Sequence, residues 1–335
     1  MLAVAFAALA LIACLAAFTL LRTRAIEARF PPRGEFVPLA GGAIHLREVA
    51  AIGAERATVL LIHGASGTHA DMFNALGAPL ATQGFKTIAV DRPGHGWSSR
   101  FAGRKASSPE VQAELIRQAL AGKGVDQAIV VGHSLAGIVA LAMTLNAPQF
   151  VRGLVLLAPV SHPWPGGVAI YYRLGANRWI GGAFRRLLVF PIGQLMLPGG
   201  MAAVFAPNPA PAGYAEATGL ALVLRPAHYK ANAEDVFDAK ANVAALCPRY
   251  GEIRAPTAIV TGNRDGVVYP QIHSAGCARD IQGAILTTLD GIGHSPHYSA
   301  SDAAIAAILD TAKRVEAREA TAQNLVMKRP LTQTI

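Results

Sequence analysis

Short apolar runs alternate with helix-like stretches along most of this 335-residue chain, and that alternation leaves few folds open. Residues 43–49, 57–62, 86–90, 128–131 and 153–157 read as strands, most of them unbroken in Val, Ile, Leu and Ala. Between them, residues 71–82, 108–121 and 135–145 carry apolar positions at helical spacing. Ser108 is placed to cap the second of these helices, with Pro109 at its first position and Gly122 just past its end. The rhythm returns late, with strands over residues 257–261 and 284–289 and helices over 271–281 and 302–317. A strand that is apolar on both faces must be covered on both. The pattern therefore predicts an α/β protein with a mostly parallel, doubly wound sheet.

The alternation breaks between residues 161 and 254. This stretch holds Trp164, Tyr171, Tyr172, Trp179, Phe184 and Phe190 among many Pro and Gly, and is too long for a loop inside a compact domain. It reads as a helical insertion that caps a core formed by residues 36–160 and 255–318, with a polar, frayed tail over 319–335. Apolar residues make up 52% of the chain and charged ones 15%, the reverse of what disorder requires. Three cysteines cannot build a disulfide framework and show no metal-ligand spacing; Cys247 and Cys277 are free or paired. The net charge of +9 permits attraction to an anionic surface but is no sign of nucleic-acid binding.

Residues 2–21 are uncharged and rich in Ala and Leu. Twenty helical residues rise about 30 Å, enough to cross a bilayer core. Arg22, Arg24, Arg29 and Arg33 follow in a basic linker over 22–35, and no Lys or Arg precedes the run. That asymmetry predicts a transmembrane anchor with the remaining chain on the cytoplasmic side. Two other readings stand beside it. One is an export signal, in which Leu11-Ile12-Ala13-Cys14 resembles a lipobox, although a basic segment before the run is missing. The other is a buried helix. Farther on, Arg173, Arg178, Arg185 and Arg186 mix with Trp179, Phe184 and residues 187–190, which suits either a membrane surface or the wall of a cleft.

The segment Val130-Val131-Gly132-His133-Ser134-Leu135-Ala136-Gly137 carries the chemistry. An apolar strand turns within Gly-His-Ser and leaves directly as a helix, so Ser134 must stand on a tight, strained turn. Its neighbours two residues away on either side must then be small, as Gly132 and Ala136 are. The following helix aims backbone N–H groups and a partial positive charge at the serine.

This segment resembles the nucleophile elbow of the α/β-hydrolase superfamily, which usually has Gly where Ala136 stands. His63-Gly64-Ala65-Ser66-Gly67 is similar to that family's oxyanion loop, and Asp91-Arg92-Pro93-Gly94-His95-Gly96-Trp97-Ser98 to its signature after a strand. The resemblance spans residues 36–314 apart from the insertion. It implies Ser134 as nucleophile, with the orienting acid and then the base after it in chain order. Asp265 in Thr261-Gly262-Asn263-Arg264-Asp265 and His294 in Gly291-Ile292-Gly293-His294 each follow a late strand and are assigned those roles. It further implies the backbone N–H groups of Leu135 and Ala65 as oxyanion donors. His297 is an alternative base, and Asp235 or Asp238 a displaced acid; Asp290 is too close to His294. His63, His133, Asp91, His95 and Trp97 are expected to brace the loops.

A Ser-His-Asp arrangement of this kind implies a serine hydrolase, first of all a carboxylic-ester hydrolase with a small acyl or lipid-like substrate and no cofactor or metal. Hydrolysis of carbon–carbon bonds in diketone-like substrates, or acyl transfer and perhydrolysis, would use the same residues. Epoxide hydrolases and haloalkane dehalogenases of the superfamily carry Asp at the elbow, unlike Ser134. A membrane-tethered binding module without catalysis is the reading of another class, and the oligomeric state is open.

Overall fold

The computed structural model describes residues 1–327. Its centre is an eight-stranded sheet: β1 (Glu35–Leu39), β2 (Gly42–Val49), β3 (Ala57–Ile62), β4 (Phe85–Val90), β5 (Ala128–His133), β6 (Val151–Leu157), β7 (Thr257–Gly262) and β8 (Ile285–Leu289). The spatial order is β1-β2-β4-β3-β5-β6-β7-β8. Only β1–β2 and β2–β4 pair antiparallel; every other neighbour is parallel. β1, which contains Pro38, lies at the edge and was not legible as a strand.

The unbroken apolar runs have a direct cause. Along β3, Leu60 and Ile62 enter the core on one face of the sheet, while Val59 and Leu61 enter the core on the other. All four are fully buried, each contributing about 1.5–3 kcal/mol of burial free energy. The helices in the first half of the chain are α1 (Leu2–Arg29), which packs against the insertion, and α2 (His69–Thr82), α3 (Pro109–Ala121) and α4 (Ala136–Asn146), which pack against the sheet. The insertion holds α5 (Ile170–Ala176), α6 (Gly181–Leu187), α7 (Val189–Phe205), α8 (Tyr214–Thr218) and α9 (Pro226–Leu246). After it come α10 (His273–Asp280), α11 (Pro296–Ser299) and α12 (Ser301–Met327). Ser108 does cap α3, its side chain accepting from the Val111 N–H at 3.3 Å.

The insertion is fastened to the core from within. Asp235 on α9 accepts from the Arg92 guanidinium at 2.6 Å and from Gln112 at 3.0 Å. Arg92 is fully buried and also donates to the carbonyls of His63 and Gly64. One guanidinium thus joins the insertion to the loop after β3. Breaking such a buried pair by removing one partner typically costs about 3–5 kcal/mol.

Two stretches differ from the sequence reading. The residues expected as a basic linker from position 22 continue the first helix as far as Arg29. Ile26 is buried there against Val189, Phe190 and Leu222 of the insertion, and Glu27 pairs with Arg225 at 3.2 Å. Apolar contact and an ion pair give this segment a helical docking site that its own composition does not announce. At the other end α12 runs through residues 319–327, read from sequence as frayed tail; residues 328–335 of that tail lie outside the described residues.

Candidate active site

Ser134 connects β5 to α4 with φ of +53°, left-handed backbone that a side chain adopts at a cost of about 1–2 kcal/mol. The turn is held on both sides. The Ser134 N–H donates to the Leu157 carbonyl at 3.0 Å, and its own carbonyl accepts from Val160 at 2.9 Å. Space dictates the small neighbours. A Cβ at Gly132 would lie 2.7 Å from the Ala136 carbonyl oxygen, and one at Gly137 would lie 2.6 Å from the Pro159 ring. Ala136 keeps its methyl, fully buried, so the hard steric limit on the helix side falls at Gly137.

Three side chains from distant segments form one hydrogen-bonded chain. His294 Nε2 lies 2.8 Å from Ser134 Oγ, and His294 Nδ1 lies 2.7 Å from Asp265 Oδ2. Asp265 Oδ1 accepts from the N–H groups of Val267 and Val268 at 2.8 and 2.9 Å, which leaves Oδ2 turned to the histidine. A carboxylate on Nδ1 selects the tautomer in which Nδ1 carries the proton and Nε2 offers a lone pair. That lone pair faces the serine hydroxyl, the geometry in which a base can take the hydroxyl proton. Gly262 and Gly293 permit this convergence. A Cβ at either would meet a backbone carbonyl oxygen, of Ile292 or Ala206, at 2.0 and 2.2 Å.

The loop after β3 closes over the serine. A Cβ at Gly64 would be 2.9 Å from the Ser134 Cβ, so this backbone touches the elbow. Ala65 lines the cavity above Ser134, and Leu135 stands at the N-terminus of α4, where unpaired N–H groups favour negative charge. His63 braces the loop. Its Nε2 accepts from the Arg92 N–H at 3.0 Å, and Nδ1 then donates to the Gly64 carbonyl at 2.8 Å. Burial, reinforced by the Arg92 charge, lowers its pKa to about 3 and keeps it neutral. From the insertion, Asn232 on α9 accepts from the Ser66 N–H at 2.7 Å and donates to the Ser66 hydroxyl at 3.0 Å. Ser66 itself is held at φ of +58°.

The other singled-out residues are placed elsewhere. Asp91 accepts from His45, His69 and the Trp97 N–H and so ties its turn together. Asp235 is spent on Arg92 and Arg100, Asp238 on Arg104 and Ser107, and Asp290 on Asn263. His297 lies 3.5 Å from Asp71 and makes no hydrogen bond to the serine. The three cysteines are free.

Asp71, Tyr214 and Asn232 line the cavity and had no signal in the sequence beyond polar residues on helices. Asp71 accepts from the Tyr214 hydroxyl at 2.8 Å, with His133 Nδ1 at 3.9 Å. Burial alone would raise its pKa, but His297 and the Tyr214 hydroxyl hold the carboxyl well below the usual range. Asp71, His133 and His297 bring their ligand atoms within 4.8 Å of one another, as do His45, His69 and Asp91; a metal ion would find such a set at either place. The cavity has a volume of about 380 Å³, with Ser134 and His294 on one wall and apolar side chains of α7 on another.

A family model described as alpha/beta hydrolase fold matches residues 57–301. A stretch of 105 residues is 40% identical to the dihydrolipoyllysine-residue acetyltransferase component of the acetoin cleaving system of Cupriavidus necator; it covers 31% of this chain but spans only 26% of that protein. An uncharacterized protein of Mycobacterium tuberculosis is 30% identical over 255 residues, 72% of this chain and 70% of the relative. A solved hydrolase of Pseudomonas aeruginosa shares the fold, with a TM-score of 0.64 and 22% identity over 84% of this chain and 99% of that one.

Proposed function

The chain belongs to the α/β-hydrolase fold family and is a hydrolase, and from that premise we propose that it cleaves carboxylic esters through Ser134, His294 and Asp265. Ser134 Oγ attacks the ester carbonyl carbon while His294 Nε2 takes its proton. The carbonyl electrons move onto oxygen, where the N–H groups of Leu135 and Ala65 stabilise the negative charge. His294 then protonates the leaving alkoxide and an acyl-serine remains. Water, deprotonated by His294, attacks that acyl group and frees the acid. Asp265 holds the imidazole in its tautomer and stabilises the imidazolium. No step calls for a cofactor. The observation that carries this reading is the unbroken chain of 2.8 and 2.7 Å contacts from Ser134 through His294 to Asp265.

Labelling with a fluorophosphonate tests it, because only an activated serine reacts at an appreciable rate. The full-length protein should label and should hydrolyse p-nitrophenyl butyrate. Ser134→Ala should lose labelling and lower turnover by on the order of 10⁴-fold or more while remaining folded. Undiminished ester hydrolysis by that variant overturns the assignment. α1 is apolar and long enough to cross a membrane. With Arg22, Arg24 and Arg29 at its C-terminal end, the hydrolase body belongs on the cytoplasmic side. Membrane fractionation combined with protease protection tests this, and recovery of a soluble, shortened protein would identify the segment as a cleaved signal instead.

A further inference from the structure

We infer that α7 of the insertion is seated in the bilayer beside α1 and that the cavity over Ser134 opens there, so that the substrate is an uncharged acyl ester dissolved in the membrane. This rests on the ester chemistry proposed above and names where that ester comes from.

The first observation is a surface that water has no reason to cover. No Asp, Glu, Lys or Arg stands between Arg186 and Glu216, yet much of this stretch is exposed. On α7 and the residue before it, Leu188, Ile192, Leu195 and Met196 recur at the spacing of one helix face and are 41%, 47%, 80% and 55% exposed. An apolar stripe of this kind marks a contact surface. The flanking chemistry says which kind. α6 meets α7 at 69°, and Arg185 and Arg186 lie on α6, with Arg178 stacked on the exposed Trp179 ring at 4.2 Å just before it. Arg and Trp beside an uncharged apolar stripe match an anionic headgroup layer over hydrocarbon.

The second observation fixes the depth. α7 begins against the membrane-spanning helix itself. Phe190 packs edge-on to Phe18 at 6.1 Å between ring centres, and the Arg22 guanidinium lies 5.9 Å from the Phe190 ring. Phe18 precedes Arg22 by about one helical turn, or about 6 Å of rise, so α7 meets α1 just inside the basic boundary. The apolar stripe is therefore continuous with the segment that spans the bilayer, and the occupant of that stripe is the same lipid.

The third observation ties the surface to the site. Leu188, Ile192 and Met196 are exposed and line the cavity that holds Ser134, whereas Leu195 on the same helix is exposed without lining it. The wall of the cavity is thus the membrane-facing helix, and an acyl chain can pass along it from lipid to serine without crossing water. Among the described lining residues Asp71 is the only Asp, Glu, Lys or Arg, so no lysine or arginine stands in the cavity to pair with an anionic substrate.

Leu195 separates docking from catalysis, because it is exposed on the stripe and does not line the cavity. Full-length protein carrying Leu195→Cys, Cys14→Ala and Cys247→Ser is labelled with a nitrobenzoxadiazole fluorophore in phosphatidylcholine–phosphatidylglycerol vesicles. Nitroxide-bearing lipids should quench the label and aqueous iodide should not. In parallel, Leu195→Glu should keep p-nitrophenyl butyrate turnover within about twofold and lower turnover of vesicle-dissolved p-nitrophenyl palmitate by about tenfold or more. Quenching by iodide alone overturns the inference, as does a loss shared equally by both esters or absent from both. Lipid quenching without hydrolysis of either ester supports the docking and sinks the ester reading instead. Should Leu195→Glu fail to label with fluorophosphonate, the quenching result decides alone.

Discussion

His133 donates its Nε2–H to the backbone carbonyl of His294 at 3.0 Å, so the residue before Ser134 in sequence holds the loop that carries His294. The two rings lie 5.0 Å apart, and His133 is buried and kept neutral by that burial, with His297 and His294 adding to the effect. A neutral ring is what this contact needs, with Nε2 as the donor.

His133→Ala should therefore lower kcat on p-nitrophenyl butyrate by about 10–100-fold through misplacement of His294, with KM changed much less. His133→Gln, which can still reach the carbonyl, should recover part of the loss. A loss confined to KM would show that the contact positions nothing.

His294→Ala should cost far more activity than His297→Ala. The first removes the only ring bonded to Ser134 Oγ among the described residues; the second removes a neighbour of Asp71. The expected ratio of the two kcat values is on the order of 10³. The opposite ranking would move the base to His297.

Asn232→Ala should slow the chemical step from the insertion side. Asn232 makes two hydrogen bonds to Ser66, next to the proposed oxyanion donor Ala65. Freed of them, the loop should misplace that donor and lower kcat by about tenfold, short of the 10²–10³ seen when a donor itself is deleted. Stopped-flow acylation rates against Asn232→Asp, which keeps the acceptor for the Ser66 N–H, measure it.

Stability should fall as pH drops below about 6.5. Burial lowers the pKa of His63 to about 3 and of His273 to about 4, and pushes His95, His133 and His228 well below the ordinary value. The unfolded chain takes up these protons from about pH 6.5 downward, while folded His63 and His273 refuse them until about pH 3–4, so unfolding is favoured across that window. Each such histidine contributes a slope of about 1.4 kcal/mol per pH unit. Asp71 and Asp91, held low in the folded state, add a loss that begins only as pH falls through the ordinary carboxylate range. His228 has no hydrogen-bond partner among the described residues, so His228→Leu should make the acid slope of thermal unfolding shallower without loss of a hydrogen bond. An unchanged slope would contradict its buried neutral state.

The sequence alone determined the features that repeat or that are locally forced. Val59 and Leu61 against Leu60 and Ile62 had to face two cores, because four consecutive apolar residues in a strand leave it no solvent face. Ser134 had to stand on a strained turn, because β5 runs into α4 through two residues, Ser134 and Leu135, with Gly132 behind them. Tertiary structure decided what depends on convergence. Asp265, His294 and Ser134 meet from segments up to 160 residues apart, and nothing in the spacing of Asp235, Asp238 or His297 excluded them. Asp71 and Asn232 read as ordinary polar residues on helices until the insertion folded over the elbow. Residues 22–29 read as a linker until Ile26 met Phe190 and Leu222. Periodicity reports whether a side chain is buried; it carries no record of which buried side chain it will find, since that partner is set by how the sheet and the insertion pack.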